Sequence, residues 1–343
     1  MPHLVAAPDK FRATAAAADV AAAIGRAARA VGWSVDELPL ADGGEGLLDV
    51  VGGEPRSTVV TGPLGQLVSA EWRITDGVLG GSTEPTAVIE MARAAGRELV
   101  PRPSGDDPVR ATTRGVGELV LAAADAGVRR IVVGIGGSAT TDGGLGAVDA
   151  IGSPDAVAGV DLLVAVDVRA RFEDAAAVFG PQKGASPAQV RVLAQRLADL
   201  AARYREQFGV DVTRIAGAGA GGGLAGGLAA LGATVVPGFD VVADLVGLDR
   251  RLAGADVVVT GEGRLDRSSL DGKVVGGVVA RVAGRSPVLV VAGQADPAAA
   301  ARLPATVEVA DLTETAGRRR ARADVTELVE AAVARYLRKR PTP

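Results

Sequence analysis

Leu4-Val5-Ala6-Ala7-Pro8-Asp9-Lys10 is an apolar run cut short by a proline and two charges, and its place ahead of a helix and a second strand decides the fold. An alanine-rich stretch from Thr14 to Val31 reads as that helix, with Thr14 as its N-cap. Ser34–Leu40 then reads as the second strand, which stops at Asp42-Gly43-Gly44-Glu45-Gly46. Strand, helix and strand in that order favour a parallel sheet.

The last third repeats this grammar. Ala255-Asp256-Val257-Val258-Val259 is a strand expected to end in the loop Thr260-Gly261-Glu262-Gly263. A helix over 272–283 and a strand Val288–Val291 come after it, the latter ending at Ala292-Gly293. Unbroken Val/Leu runs between helices suit strands covered on both faces. The middle differs. Thr58–Val60, Leu67–Ile74 and Thr86–Glu90 are short strand candidates separated by glycine turns, which predicts antiparallel pairing. Strands Ile131–Gly134 and Leu162–Asp167 come next, then a long helix capped by Ser186 and Pro187 with Leu193, Leu197, Leu200 and Tyr204 on one face. The predicted architecture is α/β. A Rossmann-like parallel-sheet domain (residues 1–55 and 240–343) is interrupted by an inserted mixed α/β domain (residues 56–239).

Composition removes whole classes of chemistry. The 343 residues include no Cys and one His, so disulfides, thiolate nucleophiles, Cys-held zinc and a multi-His metal site are excluded, and a Ser-His-Asp triad would hang on His3 alone. Acid–base work falls to Asp, Glu, Lys or Tyr, and a bound metal must be a hard cation held by oxygens. A net charge of −4 gives no pull toward nucleic acid or anionic membrane. The uncharged stretch 215–239 holds nine Gly among its 25 residues and too few large apolar side chains for a membrane span. No charged region precedes the first apolar run, so no signal peptide is read there. The expectation is a soluble cytoplasmic protein; a homodimer stays open. The C-terminal stripe Val325, Leu328, Val329, Ala332, Val333 and Leu337 reads as a surface helix packed on the core, between the basic runs 318–322 and 338–340.

Gly supplies 47 residues, about 14% against a usual ~7%. Four acid-bearing segments come after strands, at 7–12, 41–46, 136–144 and 260–266, the last three of them rich in glycine. Strand carboxyl ends are where open α/β sheets bind ligands, and glycine lets backbone approach a phosphate. There is no P-loop, and no G-x-G-x-x-G opens the first helix. Gly217, Gly219 and Gly222 match that spacing, but close packing or a hinge explains them as well. Asp9, Asp42, Glu45, Asp142, Asp167, Glu262 and Asp266, with Lys10, Arg12, Lys183 and Lys273, lie in or beside such loops. Carboxylates for Mg²⁺, cations and a phosphate cradle are what phosphoryl transfer requires.

Taken together, Ala-Pro-Asp-Lys-Phe-Arg (7–12), Ala-Asp-Gly-Gly-Glu-Gly (41–46), Thr-Gly-Pro-Leu-Gly (61–65), Gly-Ile-Gly-Gly-Ser-Ala-Thr-Thr-Asp-Gly-Gly (134–144), Val-Phe-Gly-Pro-Gln-Lys-Gly-Ala (178–185) and Thr-Gly-Glu-Gly-Arg-Leu-Asp (260–266) resemble the type I glycerate kinase family. The resemblance implies ATP- and Mg²⁺-dependent phosphorylation of D-glycerate in a cleft between two domains. It points to Asp42, Asp142 and Lys183 as catalytic, and to Gly136, Gly137, Ser138, Gly143, Gly144 and Lys273 as nucleotide-binding. Asp9, Lys10, Arg12, Arg114, Glu262 and Asp266 would hold substrate, with Arg114 suited to a carboxylate; Asp142, Asp167 and Glu45 would hold metal. The chain departs from the family pattern after Asp167, which is followed by Val168-Arg169-Ala170-Arg171-Phe172 in place of x-Asn-Pro-Leu. Thr141 replaces an Asn common before Asp142, and the stretch from Ala150 to Asp161 is short. A kinase for another small hydroxy acid and a catalytically weakened ligand-binding relative are the alternatives.

Overall fold

The computed structural model describes residues 1–11, 14–100, 102, 104–105 and 107–340. Its strands are β1 (His3–Ala6), β2 (Ser34–Glu37), β3 (Glu54–Thr61), β4 (Leu67–Thr75), β5 (Thr86–Glu90), β6 (Arg130–Gly134), β7 (Asp161–Val166), β8 (Thr234–Pro237), β9 (Val257–Leu265), β10 (Val288–Ala295) and β11 (Val307–Asp311). They fall in two compact units, one of Met1–Asp42 with Val242–Pro343 and the other Gly43–Val241.

The first unit is built on a five-stranded parallel sheet in the order β11-β10-β9-β1-β2. Both chain ends contribute to it, as the strand–helix–strand reading of each required. The helix Ala17–Ala30 buries Val20, Ala23, Ile24, Ala27 and Ala28 in a core shared with Val329, Val333 and Leu337 of the terminal helix Val325–Arg338. The apolar stripe of the C-terminal sequence is therefore a packing face. Thr14 does not cap the first helix. Its hydroxyl donates to the Phe11 carbonyl at 2.8 Å, and the helix begins three residues later behind Ala16 without a side-chain cap.

Two strand ends differ from expectation. β9 does not stop at Val259 but runs through Gly261, Glu262 and Gly263 to Leu265, because β10 pairs with it residue by residue as far as Ala295. Glycine is required at Gly261, where a Cβ would collide with the Val291 carbonyl. β2 ends at Glu37, yet Leu38 and Leu40 still donate to the carbonyls of Ala6 and Pro8, so the chain tracks β1 to Leu40.

The second unit carries a mixed six-stranded sheet in the order β3-β4-β5-β6-β7-β8. β3, β4 and β5 form the expected antiparallel run, and β5 through β8 are parallel. The helix Pro187–Phe208 starts in a capping box in which Ser186 and Gln189 satisfy one another's backbone amides. Its Leu193, Leu197, Leu200 and Tyr204 are buried as predicted, each leucine worth roughly 1.5–3 kcal/mol of apolar burial. Among the described residues no helix is long and apolar enough to cross a membrane.

Candidate functional site

In the first unit the chemistry gathers where β1 gives out beside β9. Numbered within the sheet, the strand order is 2-1-3-4-5, and the switch point of such a sheet lies between its first and third strands. Ala7 and Asp9 continue the ladder past β1 by donating to the carbonyls of Val259 and Gly261, at 2.8 and 2.9 Å. The fully buried Thr260 hydroxyl donates to the Ala7 carbonyl at 2.8 Å and fixes the loop from the other side. Asp9 Oδ1 accepts from the Lys10 amide at 2.7 Å.

Glu262 lies on β9 next to this loop. Burial pushes its carboxyl up to about 7; Asp9 and Asp266 push the same way, while the Ser269 hydroxyl and Lys273 oppose them. Its Oε1 is shut off from solvent without a hydrogen-bond partner. Asp266 is engaged locally: its Oδ1 accepts from the amide and hydroxyl of Ser268, at 2.9 and 2.7 Å. The Ser268 hydroxyl holds the Asp266 carboxyl below the usual range. Lys273 precedes the helix Val274–Val282 as its N-cap residue. Asp42 is buried at the end of the first stretch of this unit. Arg12 lies outside the described residues.

In the second unit the turn after β6 is organised by Asp142, which is 6% exposed. Oδ2 accepts from the Thr113 amide (2.8 Å), the Thr113 hydroxyl (2.9 Å) and the Gly146 amide (3.1 Å), and Oδ1 accepts from the Gly144 amide (3.1 Å). The Thr113 hydroxyl in turn accepts from the Ala147 amide. One carboxylate thus joins the start of helix Arg114–Asp125 to the start of helix Leu145–Ile151, using charge-assisted bonds to backbone amides.

Lys183 sits beside this turn, buried in the loop between the helices Ala175–Phe179 and Pro187–Phe208. Its Nζ donates to Ser138 Oγ at 3.1 Å and to the Thr140 carbonyl. Burial lowers its pKa to about 7; Asp142 pulls it back up and Arg97 pushes it further down. Ser138 Oγ also accepts from the Thr140 amide. The Tyr204 hydroxyl donates to the Gly143 carbonyl at 3.1 Å.

The glycines of these turns are closely packed, some against backbone and some against side chains. A Cβ on Gly136 would lie 2.8 Å from Gly44 Cα, one on Gly137 would collide with the Glu45 carboxylate, and one on Gly144 would lie 2.9 Å from Gly227 Cα. Gly143 fits beneath Leu200, Leu197 and Phe172. Gly219 and Gly222 approach the carbonyls of Arg171 and Thr140, which supports the packing reading of that glycine run. Arg114, half exposed, donates from Nε to Glu118 Oε1 at 3.0 Å. Asp167 comes directly after β7 and is half-buried. Among the described residues no group of three or more His, Cys, Asp or Glu side chains is placed to hold a metal on protein ligands alone.

The structure therefore brings Asp9, Glu262, Asp266 and Lys273 together in one unit, and Asp142, Ser138 and Lys183 in the other. Sequence reading missed Thr113 and Arg97. Thr113 stands beside Arg114 in Thr112-Thr113-Arg114-Gly115, but nothing local tells that it anchors a carboxylate 29 residues away. Arg97 belongs to no motif; its amide donates to the Gly137 carbonyl at 2.8 Å, which fixes its place beside the turn.

The model of the Glycerate kinase family matches residues 4–155 and 153–339, across both units and every one of these loops. The chain belongs to the glycerate kinase family. It is 38% identical over 331 residues to the glycerate 2-kinase of Escherichia coli K12, covering 84% of each chain. It is 37% identical over 313 residues to a glycerate kinase of Bacillus subtilis 168, covering 80% of each. A crystal structure of a candidate glycerate kinase 2 from Salmonella typhimurium LT2 superposes with a TM-score of 0.76 at 33% identity, covering 98% of this chain and 99% of that one. Membership of this family makes kinase chemistry, with ATP as phosphoryl donor, the activity at family level.

Proposed function

We propose that the chain transfers the γ-phosphoryl group of ATP to a hydroxyl of D-glycerate, giving phosphoglycerate and ADP. The observation that carries this reading is similarity to glycerate kinases over both units at once, 38% across 331 residues. In the reaction the glycerate oxygen bonds to the γ-phosphorus, the bond from that phosphorus to the bridging oxygen breaks, and the hydroxyl proton leaves to a carboxylate. Asp42 is assigned that proton. Asp9, Lys10, Arg12, Glu262 and Asp266 form the substrate side, and Arg114 the contact for the glycerate carboxylate, where a planar guanidinium matches two oxygens. Gly136, Gly137, Ser138, Gly143, Gly144 and Lys273 are assigned to the nucleotide. Lys183 supplies positive charge near the transferred group, as cations do where negative charge spreads in the transition state.

The donor chemistry fits Mg²⁺, a cation commonly bound through one or two carboxylates plus substrate phosphates rather than an all-protein cage. Glu45 and Asp167 are assigned to it, and when bound it neutralises the phosphate charge. Asp142, whose two oxygens already accept four hydrogen bonds, is assigned to holding the turn. A cytoplasmic setting belongs to the same reading.

A second reading, a kinase for another small hydroxy acid, is favoured by the departure after Asp167. There Phe172 is fully buried and packs edge-on against Tyr204, with ring centroids 6.2 Å apart. A coupled assay of ADP release over a panel of hydroxy acids separates the two. D-glycerate giving the highest kcat/KM supports the first reading, and another acid giving it supports the second. Release with none of them, from folded protein supplied with Mg²⁺ and ATP, removes both.

A further inference from the structure

Glu262 is the ionisable group whose surroundings least suit an ordinary carboxylate. It lies at the switch point of the parallel sheet, where β1 has ended, the loop after it follows β9 as far as Gly261, and β9 runs on beside β10 to Leu265. Its Oε1 is buried and accepts no hydrogen bond. The charges around it are Asp9 from the loop after β1, Asp266 from the end of its own strand and Lys273 from the start of the next helix; β10 carries none. An ionised Glu262 would leave a buried oxygen anion unpaired and place a third negative charge among these groups. A protonated one removes that charge and offers an O–H donor in its place.

We propose that Glu262 acts as a neutral carboxylic acid that donates a hydrogen bond to an anionic oxygen of the bound substrate, and so makes binding depend on its proton. The inference rests on the reading that this unit's loops take an anionic organic acid or a phosphate. Ligand binding retains the Glu262 proton, and loss of that proton replaces a hydrogen bond by repulsion between two anions. Burial, which raises the carboxyl to about 7, makes the neutral form available under physiological conditions. Glu262 is on this account a specificity-determining residue: it favours ligands that present an anion.

The test measures KM for D-glycerate and for ATP separately, from about pH 6 to 8.5, in the wild type and in E262Q, whose amide stays neutral and keeps an N–H donor. In the wild type, KM for the ligand that Glu262 contacts rises with pH, approaching tenfold per pH unit at the alkaline end. In E262Q it stays flat. A rise confined to glycerate assigns the contact to the carboxylate, and one confined to ATP assigns it to a phosphate. The same rise surviving in E262Q overturns the proposal. A second readout needs no turnover: ¹³C NMR of glutamate carboxyl carbons, with E262Q identifying the resonance. A titration near neutrality that moves upward when D-glycerate or ATP is added supports the proposal; one in the ordinary carboxylate range overturns it, whatever the enzyme phosphorylates. Lack of turnover with any acid would strike the proposed function and leave this readout to decide on Glu262.

Discussion

Thr113 gives Asp142 both its amide and its hydroxyl, at 2.8 and 2.9 Å, and so ties two helix starts to one buried carboxylate. Removing the carboxylate strands four donors, each costing about 1–3 kcal/mol if left unsatisfied. Asp142→Ala is therefore expected to lose about 3 kcal/mol or more in urea unfolding. Thr113→Val, which keeps the amide and loses the hydroxyl, should lose about 1–2 kcal/mol. Equal stability of Asp142→Ala and wild type would contradict the structural role assigned to this residue.

Lys183 is predicted to matter for rate. Lys183→Met should lower kcat by about 10²-fold or more, the usual effect of removing one donor from a developing charge, with a smaller change in KM for D-glycerate. Its buried ammonium also has a pH signature. The folded chain binds fewer protons than the unfolded one between about 7 and 10.5, so this group makes stability rise with pH across that window. Melting curves of Lys183→Met should lack that rise.

Glu262 has the opposite sign. Its folded pKa of about 7 stands above the ordinary 4.5, so the folded state holds more protons in between and stability falls as pH rises through the interval. The loss amounts to ~3 kcal/mol at most. E262Q should remove that slope and unfold at higher temperature than wild type at pH 8; a parallel slope in both proteins would count against the burial assigned to Glu262.

Glycine positions separate backbone strain from collision. Gly65, with φ +91° and open space around it, should cost ~1 kcal/mol when changed to Ala. Gly222, at φ +72° and pressed on the Thr140 carbonyl, should cost about 3 kcal/mol or more. Thermal unfolding of the two variants side by side checks the difference.

Much of the fold is legible because its signals are local. The apolar run before Pro8 announces β1, and the capping residues Ser186 and Pro187 announce the longest helix. The features that escape a reading of the sequence depend on partners far away in the chain. Gly261-Glu262-Gly263 reads as a loop because glycines punctuate, and it is strand because β10 lies alongside it. Gly136 and Gly137 read as a phosphate cradle, and their small size is also demanded by Gly44 and Glu45, some 90 residues earlier. Thr14 reads as a cap, but its hydroxyl turns back to Phe11. Within the candidate site, Asp9, Glu262 and Lys183 stand out by residue type and loop position. Arg97 and Thr113 do not, since their places are set by hydrogen bonds to Gly137 and Asp142, far along the chain.

The central claim is tested most directly by ³¹P NMR of the reaction itself. Purified protein with ATP, Mg²⁺ and D-glycerate is predicted to convert the γ-phosphate resonance into that of a phosphomonoester on glycerate, with ADP formed in equal amount and the attachment carbon read from coupling to its proton. ATP that stays intact, or is hydrolysed to inorganic phosphate with no glycerate ester formed, would contradict it.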